Sequence, residues 1–396
     1  MSGPVTPAPA RARIESVDLL RGVIMVLMAL DHTRDYFGAP VNPTDIATTT
    51  IALFFTRWVT HFCAPVFFLL TGTGACLALR RRSVAGLSRF LLTRGLWLIF
   101  LELVVVRCLG WQFNFDYHLT AVTVLWALGW AMIVLSALVW LPASVVGIVG
   151  AVIIVTHNLF DGVQASSLGA FGPLWTALHA PGVLWTDGTH TVFAAYVLIP
   201  WVGVTAVGYS LGQVYRWEPE RRRRFLVRMG IAAVVAFIAL RAVNIYGDTS
   251  RWAHQRSALF TALSFINTTK YPPSLLYLLM TLGPALLFLR AVDGRTPRAL
   301  QPALVFGKVP MFYYVLHIVL IHLIAVGVCV ARYGSAHWMF ESPSIDKYPI
   351  TQPPGWPVPL PVVWLIWVCV VVLLYPVCRW FAGVKRRRTD WWLSYL

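Results

Sequence analysis

The stretch RGVIMVLMALDHTRDYFG, Arg21 to Gly38, decides how this chain is built. Nine apolar or small residues, Gly22 to Leu30, run straight into Asp31, His32, Arg34 and Asp35. A bilayer core is about 30 Å thick, so those nine residues cannot cross it alone. If Arg21 sits near one interface, where its side chain can snorkel, His32 lies roughly 16 Å higher, close to the midplane. The helix spans only if DHTRDYF continues it. The spacing therefore predicts a helix over 17–37 that holds polar side chains inside the bundle.

The rest of the chain fits that reading. Of 396 residues, 58% are hydrophobic and only 12% charged, with a mean hydropathy of +0.69. A soluble domain averages about 25% charged residues, so this chain lacks the polar surface to face water. Apolar stretches recur along its whole length. They predict an all-α, polytopic membrane bundle of about ten transmembrane helices: 17–37, 51–79, 89–109, 120–140, 143–160, 192–215, 225–245, 273–291, 303–330 and 361–382.

A Pro/Ala-rich tail over 1–13 reads as disordered and cytoplasmic, leaving 14–396 as a single multi-pass domain. No A-x-A cleavage site follows the first apolar run, which argues against a removed signal peptide. The net charge of +16 gathers in clusters at the ends of apolar segments, such as Arg80–Arg82, Arg221–Arg224 and Lys385–Arg388. That is the positive-inside pattern of short cytoplasmic loops, with both termini cytoplasmic, rather than a nucleic-acid surface. The expected location is the inner (plasma) membrane.

Ionisable groups near the bilayer centre cost about 2.5 kcal/mol or more each and mostly face a bundle interior or wet cavity. Asp31 and Arg34, and His32 and Asp35, are three residues apart, so these side chains can meet on one helix face. A carboxylate beside an imidazole fixes its tautomer and raises its basicity, as a general base or nucleophile requires. The competing reading is a structural ion-pair cluster closing the outer end, with Asp18 and Arg21 as its inner counterpart. On the ninth helix His317 falls near the depth of His32, nine residues and about 14 Å above Lys308. His322 points roughly 140° away from His317. Asp31, His32, Asp35 and His317 are thus the candidate catalytic residues.

Arg34, Lys270, Asn267 and Tyr313 are the candidate substrate-binding residues. Pro272 and Pro273 are expected to set the first turn of the eighth helix. Arg57 and Glu102 read most simply as intramembrane ion-pair partners. His118, His157, His179 and His190 fall in or near outer loops, where solvated histidines are common. TGTGA, in the second helix, reads as a close-packing face, since no Gly-Lys-Ser/Thr follows it. The six cysteines have no zinc-like spacing, and no motif points to a metal.

RIESVDLLRGVIMVLMALDH with APVFFLLTGTGACLAL, NTTKYPPSLLYLLMTLGP, FGKVPMFYYVLHIVLIHL and the tail KRRRTDWWLSYL resembles the catalytic domain of heparan-alpha-glucosaminide N-acetyltransferase and its bacterial relatives. The resemblance covers about residues 11–396. It implies a membrane-embedded acyltransferase that uses acetyl-CoA from the cytoplasmic side and acylates an amino sugar on the other. By that likeness the basic inner loops attract the CoA phosphates, the midplane cluster handles the acyl group, and a polar family position falls at His32. One departure stands out. The eukaryotic transferase has an essential histidine just after its first helix, whereas residues 33–60 here contain none and His61 is the next.

The leading expectation is transfer of an acetyl or acyl group from cytoplasmic acyl-CoA, a co-substrate rather than a permanently bound cofactor, to an extracytoplasmic sugar or polysaccharide. The expected partners are the bilayer, acyl-CoA and a carbohydrate acceptor, without nucleic acid; the sequence also admits a homodimer. The alternative is a proton-coupled transporter or flippase of an envelope precursor, with Asp31, His32 and Asp35 as a proton relay. Internal repeats, common in transporters, are not evident.

Overall fold

The computed structural model describes residues 14–388 and 390–395. The tail over 1–13, expected to be disordered, lies outside the described residues. In chain order the helices are α1 (Glu15–Phe37), α2 (Ile51–Trp58), α3 (Cys63–Ala78), α4 (Val84–Phe100), α5 (Val124–Leu138), α6 (Ala143–Thr156) and α7 (Gly172–Leu178). They continue with α8 (Ile199–Leu211), α9 (Pro219–Val243), α10 (Ala258–Ile266), α11 (Leu275–Ala291), α12 (Gln301–Lys308), α13 (Pro310–Tyr333) and α14 (Leu360–Arg387).

Among the described residues, five helical segments are long and apolar enough to cross a membrane: Ile51–Ala78, Ala143–Phe160, Pro219–Val243, Pro310–Tyr333 and Leu360–Arg387. Three of these are peripheral, with only 22%, 22% and 17% of their apolar windows buried for Ala143–Phe160, Pro219–Val243 and Leu360–Arg387. Their unburied apolar faces suit a lipid surround. Ile51–Ala78, at 67%, is interior.

α1 is continuous through the polar stretch and ends only at Gly38. Glu15 and Asp18 occupy its first turn and Arg34 its last, the charge order that the helix dipole favours. Its N-terminal half is fixed by a close crossing with α12. A Cβ on Gly22 would lie 1.8 Å from the Ala303 carbonyl oxygen, and one on Gly307 would lie 1.8 Å from that of Asp18. Only glycine permits this approach. Arg21 then reaches both Asp18 (2.9 Å) and the Gly307 carbonyl (3.2 Å). At the other end, the Pro-rich segment before α14 clasps α1: Trp356 donates to the Tyr36 carbonyl (2.7 Å) and the Val358 N–H to that of Phe37 (3.0 Å).

The TGTGA stretch divides its labour. A Cβ on Gly72 would lie 2.0 Å from the Thr205 carbonyl oxygen of α8, whereas nothing lies within 4 Å of one on Gly74. The first glycine packs two helices and the second opens onto a cavity.

Several expected boundaries shift, for identifiable reasons. The long helix expected over 303–330 breaks at Val309, because Pro310 lacks an N–H and instead begins a new helix. The helices expected from 120 and 192 start at Val124 and Ile199, because the residues before them form strands. β1 (Leu119–Val122) runs parallel to β3 (Thr191–Ala194), which pairs antiparallel with β2 (Gly182–Thr186), in the order β1-β3-β2. The fold is therefore mostly helical with a small sheet, rather than purely all-α. Pro272 and Pro273 precede the eighth expected helix instead of forming its first turn. That helix begins at Leu275, capped by the Ser274 hydroxyl, which accepts the Tyr277 N–H (3.0 Å).

The basic segments gather at one end of the bundle. There Arg80 donates to the Tyr215 carbonyl (2.7 Å) and Arg222 pairs with Asp293 (2.8 Å). The sheet and the longer connections occupy the far end.

Candidate active site

α1 connects two cavities. Its first half supplies Arg21 and Met25 to a cavity of about 350 Å³ at the basic end. Its second half supplies Asp31, His32 and Asp35 to another of about 350 Å³ at the far end. Val124 and Tyr314 line both cavities, so the two meet at the start of α5 and the second turn of α13.

The basic-end cavity is walled by apolar side chains such as Leu91, Leu98, Leu128 and Met132, with Arg94, Lys308 and Lys385 also lining it. The far-end cavity is polar. Asp31 accepts hydrogen bonds from Arg34 (3.1 Å) and Arg57, and Arg34 also binds Asp35. Lys270 is 7% exposed and lines the same cavity, with its ammonium 5.1 Å from the centre of the Tyr271 ring. Three cations, Arg34, Arg57 and Lys270, thus face two carboxylates, leaving one positive charge in excess beside His32 when all are ionised.

His32 Nδ1 lies 2.8 Å from His317 Nε2, and the rings are nearly parallel at 13°. His317 Nδ1 in turn lies 2.9 Å from the Tyr313 carbonyl oxygen. A carbonyl can only accept, so Nδ1 of His317 carries the hydrogen, and in the neutral ring Nε2 is the acceptor. His32 therefore donates from Nδ1 and keeps the lone pair on Nε2. That nitrogen has no hydrogen-bond partner among the described residues, and His32 lines the far-end cavity. The edge of the ring rests on Trp111, with centroids 4.8 Å apart. Trp111 ends the π-helical continuation of α4 over Leu101–Trp111. Widened turns of this kind are frequent at functional sites.

The family model described as heparan-alpha-glucosaminide N-acetyltransferase, catalytic, matches residues 13–247. The chain belongs to this family. It is accordingly a membrane protein of an acetyltransferase-like class. The comparison with curated proteins finds no match. The matched region of the heparan-alpha-glucosaminide N-acetyltransferase family ends before Lys270, Tyr271, Tyr314, His317 and Tyr348. Five of the sixteen residues that line the polar cavity thus come from the remainder of the chain.

The structure brings Asp31, His32, Asp35, His317 and Lys270 together, with Arg34 behind them. Two expected pairings differ. His32 is oriented by His317 and not by Asp35, because Arg34 holds Asp35. Glu102 meets the N–H (3.0 Å) and hydroxyl of Thr123 and has no cation partner among the described residues, whereas Arg57 does pair with Asp31. Asn267 lies outside the cavity: its amide donates to the Thr44 carbonyl (2.9 Å) and its own carbonyl accepts from Arg241 (2.7 Å). Tyr313 also lies outside, stacked on His317 at 5.1 Å, and its neighbour Tyr314 lines the cavity instead.

His61 lines neither cavity; its ring meets Tyr277 edge-on. His322 binds the Gly110 and Met339 carbonyls (2.7 and 2.8 Å), away from the pair. His157 and His179, expected to be solvated, are each only 2% exposed. Trp111, Tyr196, Tyr271 and Tyr348 line the far-end cavity and were not anticipated from the sequence. Among 18 Trp and 14 Tyr, nothing local sets them apart.

Proposed function

We propose that the protein is an integral-membrane acyltransferase that moves an acetyl or acyl group from cytoplasmic acyl-CoA to a hydroxyl or amine of an extracytoplasmic sugar. The observation that carries this reading is the pair of unlike cavities meeting at Val124 and Tyr314, with His32 lining the far-end one, its ring centroid 6.3 Å from that of Tyr314. Family membership supports the chemistry.

In this reading ten helical segments cross the inner membrane. They are α1, α2 with α3, α4, α5, α6, α8, α9, α11, α12 with α13, and α14. An even number places both termini on one side, and the gathered arginines and lysines assign that side to the cytoplasm.

The apolar basic-end cavity takes the acyl-pantetheine arm, and Arg21, Arg94, Lys308 and Lys385 meet the CoA phosphates. The acceptor enters the far-end cavity. His32 Nε2 removes a proton from the acceptor hydroxyl or amine as that atom attacks the thioester carbonyl. The C–S bond breaks, CoA leaves as a thiolate and recovers the proton from His32. The excess positive charge around Arg57 and Lys270 stabilises the oxyanion that forms in between. His317 holds His32 in the reactive tautomer, the part that a carboxylate plays in a serine-protease triad.

The test uses proteoliposomes with acyl-CoA offered at the basic end and a panel of amino sugars and polysaccharide fragments at the other. Wild-type protein should release CoA and acylate at least one acceptor, whereas Val124→Trp, which fills the junction, should do neither. Movement of an unmodified sugar with acyl-CoA left intact would contradict the enzyme reading and favour a transporter.

A further inference from the structure

α6 ends in a 3₁₀ turn, His157–Phe160, directly followed by Asp161. His179 lies 18 residues beyond Asp161, at the C-cap of α7, and the fold returns it to the same place. One donor atom from each of His157, Asp161 and His179 lies within 4.8 Å of the others. Asp161 Oδ1 is 3.1 Å from His179 Nε2, and the two imidazole centroids are 5.7 Å apart at 67°.

An aspartate–histidine pair alone would be unremarkable. The decisive residue is His157, only 2% exposed, with neither ring nitrogen hydrogen-bonded among the described residues. Nδ1 of His179 is equally without a partner and equally buried. Buried imidazole nitrogens left unpaired are costly, and these two rings, with centroids 5.7 Å apart, make no hydrogen bond to each other. A cation that accepts one lone pair from each residue would hold one nitrogen of each ring.

We propose that His157, Asp161 and His179 bind a divalent transition-metal ion, zinc foremost. Imidazole and carboxylate are borderline-to-hard donors that suit Zn²⁺ with bonds of about 2.0–2.2 Å. A tetrahedral site at those lengths needs donors roughly 3.3 Å apart, so His157 closes by up to about 1.5 Å on the Asp161–His179 pair through side-chain rotation. The fourth position is left for water. The outer layer is already present. Asn158 donates to the second oxygen of Asp161 (2.8 Å), and its own carbonyl accepts the Leu275 N–H at the start of α11 (2.9 Å). Such partners orient metal-bound carboxylates.

The ion would act by positioning. It joins the end of α6 to α7, and Pro181, two residues past His179, lines the far-end cavity. The same lobe brings Phe193, Ala195 and Tyr196 to that cavity. Metal binding therefore fixes the wall of the polar cavity without touching His32. The site stands independently of the acyl-transfer reading.

The test is a titration of the full chain in detergent, without a histidine tag and stripped by a chelator, with Co²⁺ and then Zn²⁺. One Co²⁺ should bind per chain with the visible ligand-field bands of a four-coordinate nitrogen/oxygen site, and one Zn²⁺ should displace it. His157→Gln, Asp161→Asn and His179→Gln should each weaken binding by at least about a hundredfold. Zinc-edge X-ray absorption on the wild type, which needs no variant to fold, should show two imidazoles in the shell. Co²⁺ binding no greater than that of the His157→Gln/His179→Gln double variant, or a zinc shell without imidazole, would overturn the proposal. Zinc should also slow amide exchange across 161–198 relative to the stripped protein.

Discussion

The two cavities that α1 connects have the same volume, about 350 Å³ each, and unlike chemistry. At the basic end the walls are aliphatic and the cations stand alongside them. At the far end three cations and two carboxylates surround an imidazole pair. One helix serves both because its sequence changes character at Leu30: the apolar run packs against α12 and borders the first cavity, and DHTRDYF furnishes the second. The side chains of the polar half are met by Arg57 from α2 and His317 from α13. The contrast teaches that the two ends differ in chemistry, and that the histidine pair stands on the far-end side, next to the boundary at Tyr314.

The sharpest way to break the contrast is at that boundary. His317→Ala removes the acceptor that fixes the His32 tautomer, so the far-end cavity loses its oriented base. The expected fall in kcat is about 10²–10⁴-fold, with the KM for acyl-CoA changed by less than about twofold if that substrate binds at the other end. Steady-state kinetics in proteoliposomes checks this.

Next in size is the crossing that positions the N-terminal half of α1. Gly22→Ala forces α1 and α12 apart, since the added Cβ would meet the Ala303 carbonyl. A destabilisation of about 1–3 kcal/mol is expected, read as a lower unfolding midpoint in detergent.

A reciprocal pair of substitutions sharpens the comparison. Lys308→Met should raise KM for acyl-CoA by about tenfold, or ~1.4 kcal/mol, and leave the acceptor KM alone. Lys270→Met should do the reverse. Equal effects on both substrates would mean that the cavities are not divided between them.

The smallest effect concerns the loop that closes over the far end. Partial burial pushes Asp116 up, but hydrogen bonds from Ser342, the His118 N–H and Arg107 outweigh it and hold the carboxyl below its usual value. A group depressed in this way stabilises the fold fully above its unfolded pKa of about 3.9, and the contribution is lost as pH falls through the lower folded value. Amide exchange of 112–119, corrected for its intrinsic rate, should accelerate as pH falls from about 5 to about 3. The loop in Ser342→Ala should be faster already at the higher pH.

Much of this was legible in the chain because depth is arithmetic. Counting residues from Arg21 and from Lys308 put His32 and His317 at one height, and the structure joins them. Rotation about the helix axes and rotamer choice are not written in spacing. For that reason the partner of His32 was expected to be Asp35 or Asp31, and Tyr313 was chosen over Tyr314. The strand pairing of Leu119 with Thr191 joins residues far apart in sequence, each beside an apolar helix whose pattern overwhelms a four-residue strand. His157 and His179 looked solvated because loops usually are; here the lobe over 165–194 folds back and buries them.

The most direct test of the central claim is acyl transfer by His32→Ala in proteoliposomes, beside wild type and with folding verified by size-exclusion and unfolding midpoint. The account predicts loss of transfer with the affinity for acyl-CoA retained, since the donor cavity is untouched. Transfer at the wild-type rate by a folded His32→Ala protein would contradict it.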